Sequence, residues 1–187
     1  MKMTISTKQL VLARLVVALL ALLPMLSACK KETDLQKESR QREEQYRAID
    51  DGLIRDYFTR HQITKFTRLE SGVYLVDTDT VTEGTGPTIL PGKRVQVKYI
   101  GRFITPSRDN VIFDRSYGNQ TLCECFEVTV DAGSVIKGWD EAIKNMKLGT
   151  HKLVFIPSYL AYGPAGSSPL IPGDEPLLFD MRITKVK

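Results

Sequence analysis

Six aromatic residues in the second half of the chain are the side chains best suited to form a ligand site. They are Tyr99, Phe113, Phe126, Trp139, Tyr162 and Phe179. The hydroxyls of Tyr99 and Tyr162 need hydrogen-bond partners if they are buried, and Asp114 places a carboxylate directly after Phe113. An apolar cavity with a few convergent polar groups is the usual form of a small-ligand site. Each aromatic residue alone would also suit a packed core, so a core and a binding cleft remain alternatives at this point.

The sequence lacks the motifs of the common enzyme classes that use a nucleophile, a metal or a phosphate loop. It has no G-x-S-x-G turn, no P-loop, no H-E-x-x-H helix and no EF-hand loop. Its two histidines, His61 and His151, lie far apart in the chain. We expect both to be surface residues, with His151 exposed at the start of a strand, and we predict neither a cofactor nor a metal site.

Two of the three cysteines, Cys123 and Cys125, form a lone C-x-C pair in the stretch LCECF. Structural zinc needs four ligands, so the pair alone does not predict a metal site. Residues i and i+2 of a strand lie near the upper limit of disulfide Cα spacing. We therefore expect two reduced or loosely paired loop cysteines.

The third cysteine, Cys29, closes a leader sequence. Three basic residues precede an apolar run over 15–26, which is shorter than the roughly 20 residues of a membrane-spanning helix. The stretch LSAC then ends at Cys29, in the layout of a secretory signal peptide. Because LSAC resembles a bacterial lipobox, we predict cleavage after residue 28 and lipidation of Cys29. An ordinary signal peptide with an incidental cysteine is the alternative.

The leader also distorts the charge of the chain. The formal net charge is +4, but the leader carries three basic residues and no acid, which leaves the remainder near +1. This balance does not favour nucleic acid as a partner. We predict a lipid-anchored protein of the bacterial cell envelope. Lys30, next to Cys29, is not the acidic residue associated with inner-membrane retention in some bacteria, so the outer membrane is favoured.

The segment that follows the leader divides into two parts. Residues 30–47 are highly charged and predict a solvated tether. Apolar residues recur at helical spacing between Tyr46 and Phe58, which predicts an amphipathic helix. A helix this short needs a partner surface. We expect it to pack on the domain that follows, with a homodimer as the alternative.

From Gly72 onwards, alternation predicts strands in RVQVKYIGRFI and FEVTV, and β-branched and aromatic character predicts one in GVYLVD. Further strands are predicted in VIFDRS, HKLVFI and LLFDMRITKV. One helix is predicted from Val135 to about Met146, with Ile136, Trp139, Ile143 and Met146 on one stripe. Because strands outnumber helices and do not alternate with them, we expect an α+β fold. In that fold an antiparallel sheet curls over the single helix, and one face of such a sheet can stay solvated.

Five motifs in the region from residue 91 to 187 resemble, in order, those of FKBP-type peptidyl-prolyl cis-trans isomerases. VKYIG resembles the V-x-Y-x-G strand, and FDRS resembles F-D-S-S. VIKGWDEAIKNMKLGT resembles V-I-x-G-W-x-E-x-L-x-x-M-x-x-G, and PSYLAYGPAG resembles P-x-x-L-A-Y-G. IPGDEPLLFDMRITKV resembles the family's last loop and strand. The lipobox and charged N-terminal segment resemble the lipoprotein members of the family.

The resemblance implies an antiparallel half-barrel wrapped around one short helix, with a pocket between them. It implies a catalytic group formed by Tyr99, Asp114, Trp139 and Tyr162. It implies substrate-binding positions at Phe113, Phe126, Val135, Ile136, Ile171 and Phe179. Trp139 would be the floor under a proline ring, while the Tyr162 hydroxyl and the Ile136 N–H would bind substrate carbonyls.

The resemblance also implies an activity and a domain organisation. We expect a peptidyl-prolyl isomerase, or rotamase, that assists the folding of exported proteins. Its partners would be proline-containing polypeptides and macrolide inhibitors. The alternative is a family-like chaperone or scaffold module without significant turnover. The expected division is a signal peptide over 1–28, a lipidated tether and helix over 29–68, and an isomerase domain over 69–187.

Overall fold

The computed structural model describes residues 33–78, 84–118 and 123–187. The chain divides into two units, Met1–Glu38 and Ser39–Lys187, and the fold below is that of the second unit. The predicted signal peptide and Cys29 lie outside the described residues. Among those that are described, no helix combines the length and the apolar character needed to cross a membrane.

Two helices and seven strands make up the fold. The helices are α1 (Asp34–Arg60) and α2 (Lys137–Lys144). The strands are β1 (Thr67–Arg68), β2 (Tyr74–Asp77), β3 (Arg94–Phe103), β4 (Ile112–Arg115), β5 (Phe126–Thr129), β6 (His151–Ile156) and β7 (Leu177–Val186). The six predicted strands are confirmed, whereas the two-residue β1 was too short to have a period of its own.

All pairings in the single sheet are antiparallel, in the order β1-β2-β6-β7-β3-β4. The long strand β3 is central. It pairs with β7 from Val95↔Val186 to Phe103↔Leu177, while β4 and β5 share its other edge. The predicted antiparallel α+β fold is confirmed, and both predicted helices pack on the sheet.

The inner face of the sheet packs on α2. Alternate residues of β3, β6 and β7 join Trp139, Ile143 and Met146 of the helical stripe in one buried cluster, the inner cluster. Gly138 permits this close approach, because a Cβ there would lie 2.2 Å from a methyl carbon of Ile156. The stripe predicted from helical spacing therefore faces the sheet.

The outer face of β2, β6 and β7 packs on α1. Ile54, Tyr57 and Phe58 join the outward residues of these strands, including Tyr74 and Phe155, in a second buried cluster, the outer cluster. The predicted packing of the amphipathic helix on the domain is therefore found. The expected solvated face is restricted to the far strands, where alternate residues of β3 stay partly exposed.

The charged segment before this amphipathic stretch is helical from Asp34 onwards, so the expectation of a tether up to Arg47 was wrong. Its Glu and Arg residues are good helix formers. Arg47 pairs with Glu43 at 2.7 Å, one helical turn away, and such i,i+4 pairs support a solvated helix. Burial of the C-terminal half of α1 supplies the surface on which the helix can propagate.

Two smaller expectations were also wrong. Cys123 and Cys125 form a disulfide with Cα atoms 5.1 Å apart. Glu124 has a left-handed φ of 48°, so the segment is not a strand and the cysteines come closer than strand spacing allows. His151 is not freely exposed, because its Nε2 hydrogen-bonds Oδ1 of Asp180 on the adjacent strand.

Candidate functional site

A cleft of about 160 Å³ opens at the N-terminal end of α2, between that helix, β3, β5, β7 and the loop 157–166, which we call the lip loop. It is lined by Tyr99, Asp114, Phe126, Ser134, Val135, Ile136, Trp139, Tyr162 and Phe179. Eight of the ten residues assigned to the site from the sequence therefore meet in one place. They come from six separate segments, and only the folded sheet brings them together.

Trp139 lies at the bottom of this cleft and is 4% exposed. Its ring is met nearly edge-on by Tyr99 at 4.9 Å, Phe179 at 5.3 Å and Phe126 at 6.2 Å between centroids. Aromatic pairs favour this edge-to-face arrangement. The three rings hold the indole in one orientation and form an apolar wall around it, which suits a small, flat, apolar group.

The polar side of the cleft is organised by Asp114. Its Oδ2 accepts a hydrogen bond of 2.7 Å from the Tyr99 hydroxyl, and its Oδ1 accepts one of 2.7 Å from the Arg115 N–H. Burial raises the pKa of Tyr99 well above its usual range, and the adjacent Asp114 carboxylate adds to this shift. Tyr99 is therefore a neutral phenol at any physiological pH, and it anchors the carboxylate at the cleft wall.

Two donors at the cleft are left open. Ile136 precedes α2 with an extended backbone, and no described residue accepts a hydrogen bond from its N–H. The Tyr162 side chain is 38% exposed, and its hydroxyl likewise has no hydrogen-bond partner within the described parts of the chain. Burial, followed by the charge of Asp114, raises the pKa of Tyr162. Both groups are therefore available as donors to carbonyl oxygens of a ligand.

Two residues assigned to the site from the sequence do not line the cleft. Phe113 packs behind its wall, with its ring 5.6 Å from that of Phe179 and 5.0 Å from that of Phe103. Ile171 is buried in the inner cluster, and its backbone pairs with Ser167. Both residues support the cleft from behind, because β4 and the segment after the lip loop turn their side chains towards the core.

One lining residue, Ser134, was not identified from the sequence. It lies in the turn before α2, immediately before Val135. Serine is common in turns, where it hydrogen-bonds the neighbouring backbone, so the residue type did not indicate a site position. Only the position of Ser134 next to the V-I-x-G-W motif could have indicated that it lines the cleft.

The groups in this cleft can bind a ligand and restrict its conformation. Its floor suits a flat apolar ring, two open donors belong to its lining, and its one carboxylate is held by two hydrogen bonds. Within 33–78, 84–118 and 123–187, no cluster of three or more His, Cys, Asp or Glu side chains is arranged to hold a metal ion.

Comparison with known proteins gives a consistent result. Residues 86–184 match the family described as FKBP-type peptidyl-prolyl cis-trans isomerase. FK506-binding protein 1 of Gibberella zeae is 34% identical over 114 residues, which are 59% of this chain and 97% of that protein. FK506-binding protein 4 of Rhizopus delemar is 33% identical over 123 residues, which are 66% of this chain and only 29% of that much longer protein.

A solved structure agrees with the fold. The crystal structure of a peptidyl-prolyl cis-trans isomerase from Pseudomonas syringae pv. tomato superposes with a TM-score of 0.57 at 30% identity. The superposition covers 77% of this chain and 95% of the other.

Proposed function

Because the chain belongs to the FKBP-type peptidyl-prolyl cis-trans isomerase family, we propose that its aromatic cleft accelerates cis-trans isomerisation of X-Pro bonds in polypeptides. The match over residues 86–184 confirms the family resemblance inferred from the five sequence motifs. The observation that carries the proposal is the indole of Trp139, held by three edge-on rings and flanked by two open donors.

Rotation about a peptide bond is slow because resonance gives the C–N bond partial double-bond character, with a barrier near 18–20 kcal/mol. Uncatalysed X-Pro bonds exchange in roughly 10–100 s at 25 °C. The planar amide separates charge between oxygen and nitrogen, whereas the twisted transition state separates it less. An apolar cleft therefore disfavours the planar form relative to the twisted one.

Different residues around the cleft contribute to lowering the rotation barrier. The floor formed by Trp139 takes the pyrrolidine ring. The N–H of Ile136 and the hydroxyl of Tyr162 donate to the carbonyls on either side, so that rotation is confined to one bond. Each 1.36 kcal/mol removed from the barrier gives a tenfold faster reaction, so a few kcal/mol would suffice. Asp114 holds the Tyr99 phenol in the wall through their hydrogen bond.

A protease-coupled assay with an apolar-X-Pro tetrapeptide tests the activity. We expect the full chain to raise the cis-to-trans rate above background, and FK506, the ligand named in its relatives, to inhibit it. Leu148→Ala, a change of an exposed side chain outside the cleft, is the matched control and should keep the wild-type rate. FK506 binding without any rate above background would instead support a chaperone or scaffold module without turnover.

We further propose that the protein acts on exported polypeptides at a bacterial cell envelope, anchored through lipid on Cys29. The support is the order of basic segment, apolar run and LSAC in the leader. Expression of the full chain in a bacterium with radiolabelled palmitate tests it. Label in the wild type and none in Cys29→Ser is the expected result, and equal labelling of both would contradict the anchor.

A homodimer through α1 stays a prediction. The apolar residues Ile54, Tyr57 and Phe58 are buried against the sheet of the same chain, which leaves Ile49 as the exposed apolar residue of that stretch. Light scattering of the full chain and of an Ile49→Asp variant decides it, since a dimer that uses this helix would dissociate in the variant.

A further inference from the structure

A buried carboxylate links α1 to the loop that carries Tyr162. Asp50 is fully buried. Its Oδ2 accepts hydrogen bonds from the backbone N–H of Ser158 at 2.8 Å and from the Ser158 hydroxyl at 2.7 Å. Its Oδ1 has no partner among the described residues. A buried carboxylate with one unpaired oxygen costs free energy, and such local costs are expected where a residue has a functional role.

Ser158 is the first residue of the lip loop's opening turn. The turn runs from Ser158 to Leu160, and the Ser158 carbonyl accepts a hydrogen bond of 3.0 Å from the N–H of Ala161. Tyr162 follows Ala161 directly. A restraint on the backbone of Ser158 is therefore passed through one hydrogen-bonded turn to the residue before Tyr162.

Tyr162 depends on that restraint, because its side chain has little else to hold it. Among the described residues its hydroxyl has no hydrogen-bond partner, and the side chain is partly exposed. The position of the hydroxyl in the cleft is then set by the backbone of the lip loop.

The same helix holds the lip region at further points. The guanidinium of Arg47 lies 4.5 Å above the ring of Tyr159 and donates to its hydroxyl at 3.3 Å. Arg42 pairs with Asp174, whose N–H donates to the carbonyl of Gly163 at 2.8 Å. Helix α1 therefore contacts the chain both before and after Tyr162, and of these contacts only the one through Asp50 is fully buried.

We propose that Asp50 is a positioning residue of the isomerase cleft, which acts through Ser158 to place the hydroxyl of Tyr162. Helix α1 precedes the region that matches the family, residues 86–184, and it would then complete the site. This inference rests on the proposed isomerase function.

Three variants of the full chain test it in the tetrapeptide assay. Asp50→Ala removes both acceptor bonds, and we expect kcat to fall about tenfold with KM within about twofold, because a misplaced group is costly even at small displacements. Asp50→Asn keeps an acceptor oxygen and should stay within about twofold of the wild type. Asp56→Ala, which removes an acid of α1 whose ion pair among the described residues is with Arg60, is the matched control and should leave kcat unchanged.

A double-mutant cycle with Tyr162→Phe separates positioning from general loss of structure. If Asp50 acts through the Tyr162 hydroxyl, Asp50→Ala in the Tyr162→Phe background should change kcat by less than about twofold. Effects that multiply in full would overturn the proposal. Circular dichroism checks that each variant is folded. If Asp50→Ala is not, Ser158→Ala, which removes only the hydroxyl bond, replaces it with an expected loss of about threefold.

Hydrogen exchange of the lip loop distinguishes failure of this proposal from failure of the proposed function. We expect faster exchange over 157–163 in Asp50→Ala than in Asp56→Ala, without any substrate present. If the wild type has no isomerase activity, the function fails and exchange alone decides whether Asp50 holds the loop. Unchanged exchange together with unchanged kcat in Asp50→Ala would refute the positioning role.

Discussion

The two faces of the sheet are built from the same strands but covered by very different helices. On the inner face, the eight residues of α2 cover the inner cluster and leave the cleft open at one end. On the outer face, the 27-residue α1 lays Ile54, Tyr57 and Phe58 over β2, β6 and β7. The inner face therefore keeps an open cleft over its aromatic floor, whereas the outer face has these three apolar side chains buried under a helix.

The cleft exists because α2 covers the inner cluster incompletely. Trp139 belongs to the inner cluster and also floors the cleft, so one side chain serves both core and site. On the outer face, the rings of Phe58 and Phe155 meet edge-to-face at 4.8 Å and lie outside the cleft. Changes of Trp139 should therefore alter activity and stability together, whereas changes in the outer cluster should alter stability alone.

The largest effect is expected from Trp139→Ala. Truncation of this buried side chain should lower the free energy of unfolding by about 3–5 kcal/mol, and loss of the floor should lower kcat/KM of the folded protein about 100-fold. Urea denaturation and the coupled assay measure the two quantities. Met146→Ala, which is equally buried in the inner cluster but outside the cleft, should lose stability and keep its activity. Wild-type activity in Trp139→Ala would show that the indole is not the floor of the catalytic site.

Phe58→Ala tests the outer face. Removal of this ring from the outer cluster should lower the free energy of unfolding by about 3 kcal/mol. The affinity for FK506 should stay within about twofold of the wild type, because the ring lies on the other side of the sheet from the cleft. Urea denaturation and calorimetric titration check these values, and a parallel loss of affinity would show that the two faces are coupled through the sheet.

The buried acid on α1 makes the outer face sensitive to pH. Burial raises the pKa of Asp50 from 3.8 to about 6, against the opposing effect of the hydrogen bonds from Ser158, and the charges of Asp174 and Glu175 add to the rise. Between pH 3.8 and about 6, the folded state therefore holds a proton that the unfolded state has released. The contribution to stability is fully present below pH 3.8 and is lost as the pH rises through about 6.

This contribution amounts to about 2–3 kcal/mol at most. Asp50→Asn, which cannot ionise, should lack it. The difference in unfolding free energy between variant and wild type, measured by denaturation from pH 4 to pH 7, should therefore change across this window. A constant difference would mean that the pKa of Asp50 is close to its ordinary value.

The smallest effect is expected from Tyr162→Phe. Loss of one hydrogen bond to a substrate carbonyl should lower kcat/KM about tenfold. The free energy of unfolding should change by less than about 0.5 kcal/mol, because the hydroxyl binds nothing else in the described structure. Tyr117→Phe, an exposed tyrosine outside the cleft, should change neither quantity. A large stability loss in Tyr162→Phe would indicate an unrecognised structural role.

Much of the fold could be predicted because its strands have clear alternation. Val95 and Val97 point inward while Gln96 and Lys98 stay partly exposed, as the period-2 pattern requires. The helix over residues 34–45 could not be predicted, because the residue pattern there is polar throughout. Charge pairs and the packed half of α1 support the helix in this segment. The disulfide could not be predicted either, because it depends on the left-handed backbone of Glu124.

The candidate site could be predicted wherever a motif fixed both residue type and spacing. Val135, Ile136 and Trp139 lie at the cleft because one short helix start carries all three. Phe113 and Ile171 lie behind the cleft lining, because a motif does not state which way a side chain turns from its strand or loop, and their substrate-binding role stays a prediction. Asp50 gave no signal, since an acid among many acids of a charged helix is normally solvated.

The strands, the apolar stripe of α2 and the family motifs can be recognised in the sequence, because they depend on local periodicity and spacing. The uncovered end of the inner cluster and the burial of Asp50 against Ser158 appear first in the tertiary structure. Both outcomes depend on contacts between residues far apart in the chain. Burial and hydrogen-bond partners exist only after the sheet has placed those residues side by side.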